Sequence, residues 1–255
     1  MRLDGSGLLD QVTDLGINAH AGSSGNAGTL DLTVTGLLEI LNGAFISSNT
    51  WGRGNAGKVM IRAGEMRLDN GGRSEYTGIA SDAHPESSGG DAGTLDVMVT
   101  GLFQILNGAT IGSSTFASGD AGKIRIQATD LLIAGPNSGA FSQAHTTSTG
   151  QVGELSIDAN TLTLRDGGTL SIKARQTLLD PTPPDSHLAI HTDQLTMDGG
   201  IITAQSEGNV PAAAIDLNGL EMHLINSSEI STESLATDAG YITIGGGSLW
   251  LTDSL

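Results

Sequence analysis

The chain has 255 residues, with 28 acidic against 11 basic side chains, a formal net charge of −17 at pH 7 and no cysteine. That charge opposes nucleic acid, which needs a cationic track, and anionic membrane surfaces alike; the missing thiols exclude disulfides, zinc–thiolate sites and a cysteine nucleophile. Gly accounts for 37 residues and aromatics for only 3%, so the core must be thin and aliphatic, as in a solenoid whose coils bury their apolar faces by stacking.

Residues 1–24 read as the second half of a coil. Met1-Arg2-Leu3-Asp4 recurs as Met66-Arg67-Leu68-Asp69 in the middle of a later unit, so Met1 is expected to be an internal position of a longer protein. The start lacks the apolar core of about 7 to 15 residues that a signal peptide carries. No segment approaches the ~18 consecutive apolar residues of a spanning helix, so no membrane insertion is expected.

From residue 25 one tetrapeptide punctuates the chain: Gly25-Asn26-Ala27-Gly28, Gly54-Asn55-Ala56-Gly57, Gly90-Asp91-Ala92-Gly93 and Gly119-Asp120-Ala121-Gly122, at spacings of 29, 36 and 29 residues. Residues 25–50 and 90–115 are identical at 18 of 26 positions without a gap. Fixed punctuation of this kind marks a stacked-coil architecture. The coils run 25–53, 54–89, 90–118, 119–149 and 150–186, then more loosely 187–213, 214–237 and 238–255.

Each unit opens on period-two alternation, as in Leu30, Leu32 and Val34, or Leu95, Val97 and Val99, which gives a strand one buried face. A second apolar pair follows, such as Leu38 and Ile40 or Phe103 and Ile105. An Asx-Gly corner comes next at Asn42-Gly43, Asn70-Gly71, Asn107-Gly108, Asp166-Gly167 and Asp198-Gly199, supplying the positive backbone angles of a tight turn. A third beat lies beyond it, at Ile46, Ile111, Leu170 and Ile230. Equivalent strands of successive units match while strands within a unit differ, so like pairs with like along the axis. The predicted fold is all-β: a parallel β-helix of about eight three-strand rungs spaced ~4.8 Å apart, a single segment over 1–255 with its regular rungs at 25–186. Right-handed coiling follows from the rule for parallel crossovers. A sandwich has no reason to set the same tetrapeptide before every third strand.

Two units are longer than the rest. Their excess falls in 76–89, which contains Tyr76, His84 and Glu86, and in 176–186, which contains Leu179, Asp180 and Asp185 with Pro181, Pro183 and Pro184. Proline cannot join a central ladder, so both segments are expected to leave the shaft as loops and to be its candidate partner-binding elements. A milder excursion is expected at 207–212. Trp51, at a turn between coils, is a further candidate because sugar-binding platforms present exposed aromatics; covering the corner of the stack is its simpler role.

Other chemistry is weakly signalled. The outward positions of the first strand read Thr29, Lys58, Thr94, Lys123 and Glu154, then Asp31, Met60, Asp96, Arg125 and Ser156, then Thr33, Arg62, Met98, Gln127 and Asp158. These columns scatter acids and bases instead of gathering the paired carboxylates of a glycosidase, and Asp96 beside Arg125 reads as a surface ion pair. No G-x-S-x-G elbow or H-E-x-x-H pair occurs. His187 and His191 flank a strand alternation and lack a matching carboxylate. The corner residues Asp91 and Asp120 invite a calcium reading, but the nine-residue calcium-roll repeat is missing. No catalytic residue, metal ligand or cofactor is assigned, and the chain is not expected to be an enzyme.

The G-[ND]-A-G-x-[LIV]-x-[LIV]-x-[AV] opening at 25–34, 54–63, 90–99 and 119–128, with corners such as 162–168, resembles the shaft repeats of filamentous haemagglutinin-like exoproteins of two-partner secretion. The resemblance covers nearly the whole chain and is best over 25–174. It implies a right-handed β-helical segment, exported through an outer-membrane transporter as part of a longer parent. Such a shaft acts at the bacterial surface or outside the cell, in adhesion to host-cell or bacterial glycans and proteins, in aggregation or as a stalk. The amino-terminal secretion-domain motifs of that family do not occur here. A polysaccharide lyase or hydrolase on the same fold is the alternative, and a non-functional exoprotein fragment a second one.

Overall fold

A computed structural model describes residues 1–6, 13–85, 89–179 and 186–253. Nine strands form one parallel sheet: β1 (Arg2–Asp4), β3 (Thr29–Leu41), β5 (Lys58–Asp69), β7 (Thr94–Leu106), β9 (Lys123–Ala134), β11 (Glu154–Arg165), β13 (His187–Asp198), β15 (Ala214–Ile225) and β17 (Ile242–Thr252). Eight form the other: β2 (Thr13–Gly16), β4 (Ala44–Ser47), β6 (Gly78–Ala80), β8 (Thr110–Gly112), β10 (Gly139–Ala144), β12 (Thr169–Ala174), β14 (Ile201–Ser206) and β16 (Glu229–Ser234). The chain alternates between the sheets and each strand pairs with the strand two ahead, so the molecule is an all-β parallel solenoid of about eight turns. A third, minimal ladder of single bridges joins Ala19, Thr50, Ala83, Thr115 and Ala144.

The first two strands expected in each unit are one bent strand. Ala63 and Met66 both face the core although they are three apart, which an extended strand allows only if it turns between them. β3 and β7 have 13 residues where β5 and β9 have 12, and the extra residue is absorbed at the bend as register shifts between Val34 and Leu37 and between Val99 and Leu102. This is the signature of a β-bulge. Inside, the apolar beats become columns one side chain wide: Leu30, Val59, Leu95, Ile124, Leu155, Leu188 and Ile215 lie in one file, all buried. Phe103, the largest fully buried side chain among the described residues, stands in the file of Leu38, Met66 and Leu131. On β17 Ile242, Leu249 and Leu251 are exposed.

The tetrapeptide is the return corner before each long strand, and close approach dictates its glycines. A Cβ on Gly57, Gly93, Gly122 or Gly153 would lie 1.9, 1.8, 1.7 or 1.8 Å from the carbonyl oxygen of the equivalent glycine one rung back, and one on Gly54, Gly90 or Gly119 within 2.0 to 2.3 Å. Gly150-Gln151-Val152-Gly153 is therefore a fifth, disguised copy. The second position forms a side-chain ladder: Asn26, Asn55, Asp91 and Asp120 accept through Oδ1 from the backbone N–H of Asn55, Asp91, Asp120 and Gln151, at 2.9, 3.1, 2.9 and 2.8 Å. Ala56, Ala92 and Ala121 point inward and are buried.

The opposite corners follow the Asx-Gly reading. Asn42, Asn107 and Asp166 each have φ of 54° and their glycines are left-handed too; at Asn70-Gly71 and Asp198-Gly199 only the glycines have positive φ.

Replacing Gly93 by Ala drives a methyl into the Gly57 carbonyl and is expected to cost about 3 kcal/mol. Gly36→Ala, with no neighbouring atom within 4 Å of the added methyl, should stay within about 0.5 kcal/mol; urea denaturation of both variants checks the contrast.

Candidate functional site

The third corner carries a column of planar rings. His20, Trp51, His84, Phe116 and His145 each follow a residue of the single-bridge ladder, and their rings stack nearly parallel. Centroid separations are 6.4, 4.2, 6.3 and 3.7 Å, with interplanar angles of 17, 6, 6 and 13°. Backbone bonds fix this spacing: the N–H groups of Trp51, His84, Phe116 and His145 donate to the carbonyls of Ala19, Thr50, Ala83 and Thr115. Arg175 and Glu207 continue the column through the same type of bond and pair at 3.1 Å. Burial, with the Arg175 charge adding, holds the His145 imidazole below its ordinary pKa, so it stacks as the neutral ring at pH 7.

This arrangement places two of the candidates, Trp51 and His84, in the ring column. Trp51 has His84 over one face and His20 over the other, so its faces are used within the stack and it covers the corner. Residues 76–89 do not leave the shaft as one loop: Gly78–Ala80 is β6, paired with β4 and β8, and His84 belongs to the ring column. Tyr76 precedes β6 and sits at a different corner. Its hydroxyl donates to the Ile79 carbonyl at 3.0 Å and its ring meets Phe45 edge-on at 5.9 Å. Glu86, Asp180 and Asp185 lie outside the described residues.

Of the 176–186 excursion, only 176–179 and 186 lie within the described residues. Gln176 is buried and donates to the Gly150 carbonyl, whereas Leu179 is fully exposed. Leu178 and Asn209 exchange two hydrogen bonds of 2.7 Å, Leu178 N–H to Asn209 Oδ1 and Asn209 Nδ2 to the Leu178 carbonyl. The 207–212 excursion is thereby fastened to the one before it. Lys173 binds Glu207 at 2.5 Å, and that hydrogen bond, with Lys173 and Arg175 charge, holds the Glu207 carboxyl below its ordinary pKa.

Two polar ladders at the third corner, one in the interior and one half-buried, went unread in the sequence. Ser48, Ser81, Ser113 and Ser142 are fully buried and donate through Oγ to the carbonyls of Gly28, Gly57, Gly93 and Gly122, at 2.8, 2.8, 2.7 and 3.3 Å. The same hydroxyls also crowd the next return-corner glycines, Gly57, Gly93, Gly122 and Gly153; the column ends at Ile172 and Ala204, where that following position is Ser186 and Ala213, and a hydroxyl returns at Thr232, which bonds the carbonyl of the following Gly240 at 2.9 Å. Its signal was an apolar-x-Ser triplet at a fixed place in each unit, hidden among many other serines. Asn18, Asn49 and Asp82 form the second ladder, each accepting from the next rung's N–H at Asn49, Asp82 and Ser114.

On the outer face Asp96 meets Lys58 at 3.8 Å and not Arg125, its register neighbour, so that expected pair is corrected. Arg62 pairs with Asp31 and Lys123 with Glu154. Extending the third outward column beyond Asp158 brings in His191 and Asn218. With Asp193 at the bend they line a shallow groove of about 270 Å³, a gathering hidden from columns that stop at Asp158. Asp91 receives Asn55 Nδ2 and Asp120 N–H on its two oxygens, which employs this carboxylate in the ladder. Among the described residues no group of three or more His, Asp or Glu side chains could hold a metal ion, and no helix is long and apolar enough to cross a membrane.

No family model, curated protein or solved structure matches the chain.

Burial pushes the Asp82 carboxyl up to about 7, against the opposing hydrogen bond from Ser114 N–H. Because the folded value exceeds the unfolded one, this group favours the fold most below about pH 4 and its contribution is lost as pH rises through 7. Asp82→Asn restores the amide found at Asn18 and Asn49. It should raise the melting temperature at pH 8 and flatten the melting-temperature profile between pH 4 and 8; an unchanged profile would sink the assignment.

Proposed function

We propose that the chain is a structural and adhesive segment of a cell-surface or secreted β-helical shaft, of the kind implied by its resemblance to filamentous haemagglutinin-like exoproteins. The observation that carries this reading is the continuity of its ladders. Glycine, Asx, serine and ring columns spend most of the recurrent chemistry on joining one rung to the next, and repeated rungs can add length without changing the section. In this reading the parent leaves the cell through an outer-membrane transporter, needs no cofactor, and meets host-cell or bacterial glycans and proteins through side chains at the corners. Acid-rich outer faces support separation of neighbouring shafts by self-repulsion.

Beads coated with the purified chain are expected to adhere to epithelial or bacterial cells more strongly than beads coated with an unrelated protein of equal net charge. Equal adherence would overturn the adhesive part of the proposal.

The groove of Asp158, His191 and Asp193 favours a second reading, a polysaccharide-active β-helix enzyme, because a base and acids there face one surface. Assay of reducing ends and unsaturated uronate products over a panel of plant and bacterial polysaccharides tests it. Turnover abolished by His191→Ala supports the enzyme; no turnover on any polymer removes it.

A further inference from the structure

The first corner of the second regular rung departs from its neighbours. The corners after β3, β7, β9, β11, β13 and β15 take two to four residues, whereas the one between β5 and β6 takes eight, 70–77. This loop is built, not loose. Asn70 Nδ2 donates to the Arg73 carbonyl and Arg73 N–H donates back to the Asn70 carbonyl, at 2.6 and 3.2 Å. Thr77 Oγ1 donates to Asn70 Oδ1 while accepting from Gly43 N–H, both at 2.6 Å. Gly72 N–H donates to the Asn107 carbonyl of the next rung.

The loop forms one wall of an open cleft of about 630 Å³ whose floor is the tight corners of the next two rungs, at Asn107, Pro136 and Asn137. Tyr76 stands in the wall with 43% of its surface exposed. Its hydroxyl is committed inward to Ile79 and its ring is braced on Phe45, so it presents ring carbon to the cleft instead of a polar tip. Arg73 and Glu75 flank it, exposed and of opposite charge, and among the described residues neither takes part in an ion pair. Asn137, held at φ 62° by its turn, adds an exposed amide.

We propose that this cleft binds a neutral saccharide of about two pyranose rings. A braced aromatic surface suits the C–H face of a sugar, and guanidinium, carboxylate and amide groups together offer donors and acceptors to its hydroxyls. Two rung spacings span ~10 Å, the length of a disaccharide. The local charges cancel and the whole chain carries −17, which selects against uronates, sulfated sugars and phosphates. The inference rests on the adhesive reading and supplies its ligand class.

Binding of cellobiose, lactose, maltose and chitobiose to the full chain, with digalacturonate as the acidic comparison, is measured by saturation-transfer NMR and titration calorimetry. At least one neutral disaccharide is expected to bind in the millimolar range. Tyr76→Ala and Asn137→Ala should each weaken it roughly tenfold, and Tyr76→Phe, which keeps the ring, less than about threefold. Should Tyr76→Ala fail to fold, Asn137→Ala and Glu75→Ala, both exposed, decide the matter. Binding of digalacturonate alone, no binding by any neutral disaccharide, or binding indifferent to the cleft variants overturns the site. Beads that adhere to cells without disaccharide binding remove the cleft and leave the adhesive reading; disaccharide binding without adherence does the reverse.

Discussion

From residue 25 to residue 153 the rungs depend on how closely one lies on the next at the two glycine columns. There the backbone of each return corner rests against the carbonyl of the corner below, at a separation that leaves no room for a methyl group. That contact sets both the height and the lateral register of the rung. Once it is made, every strand meets its counterpart at a fixed offset, and each side chain acquires as neighbours the same positions of the adjoining rungs.

Like-on-like stacking then decides which residue types are stable where. Amides and carboxylates at the corner accept from the backbone one rung up, serines close onto glycine carbonyls, and flat rings cover flat rings. These contacts are interchangeable within chemical limits. Asn gives way to Asp without breaking the ladder, and Trp, Phe and His succeed one another in a column that asks only for a planar face. The limits show where hydroxyl and glycine vanish together, at Ile172 with Ser186 and Ala204 with Ala213: a glycine is needed only where its partner must come close. The two proposed sites lie beside this stack, one at the eight-residue corner that holds Tyr76 and one beside the in-register pair of Asp158 and His191.

Much of the fold was legible because both of its rules are local. Alternation such as Leu95, Val97 and Val99 gives the inward face, and Asn-Gly gives the turn. The merging of two strands into one was less legible, since a bend with a bulge and a loop between strands leave the same pattern of inward residues. Inserted length misled for a related reason. Extra residues near Tyr76 suggested a loop outside the shaft, yet Gly78–Ala80 keeps its place in the sheet. Proline and length reveal an insertion but not which of its residues return to the ladder.

The sequence by itself determined a repeated coil, its inward face, its corners and its approximate number of rungs, because these follow from periodicity and from backbone angles that few residues adopt. Only the tertiary structure decided which outward side chains meet. Asp96 turns to Lys58 instead of Arg125, Trp51 lies between His20 and His84, and Tyr76 faces Asn137 of a later corner across a cleft. Those neighbours lie tens of residues apart along the chain. They come together through the summed register of every intervening rung, which no local pattern encodes.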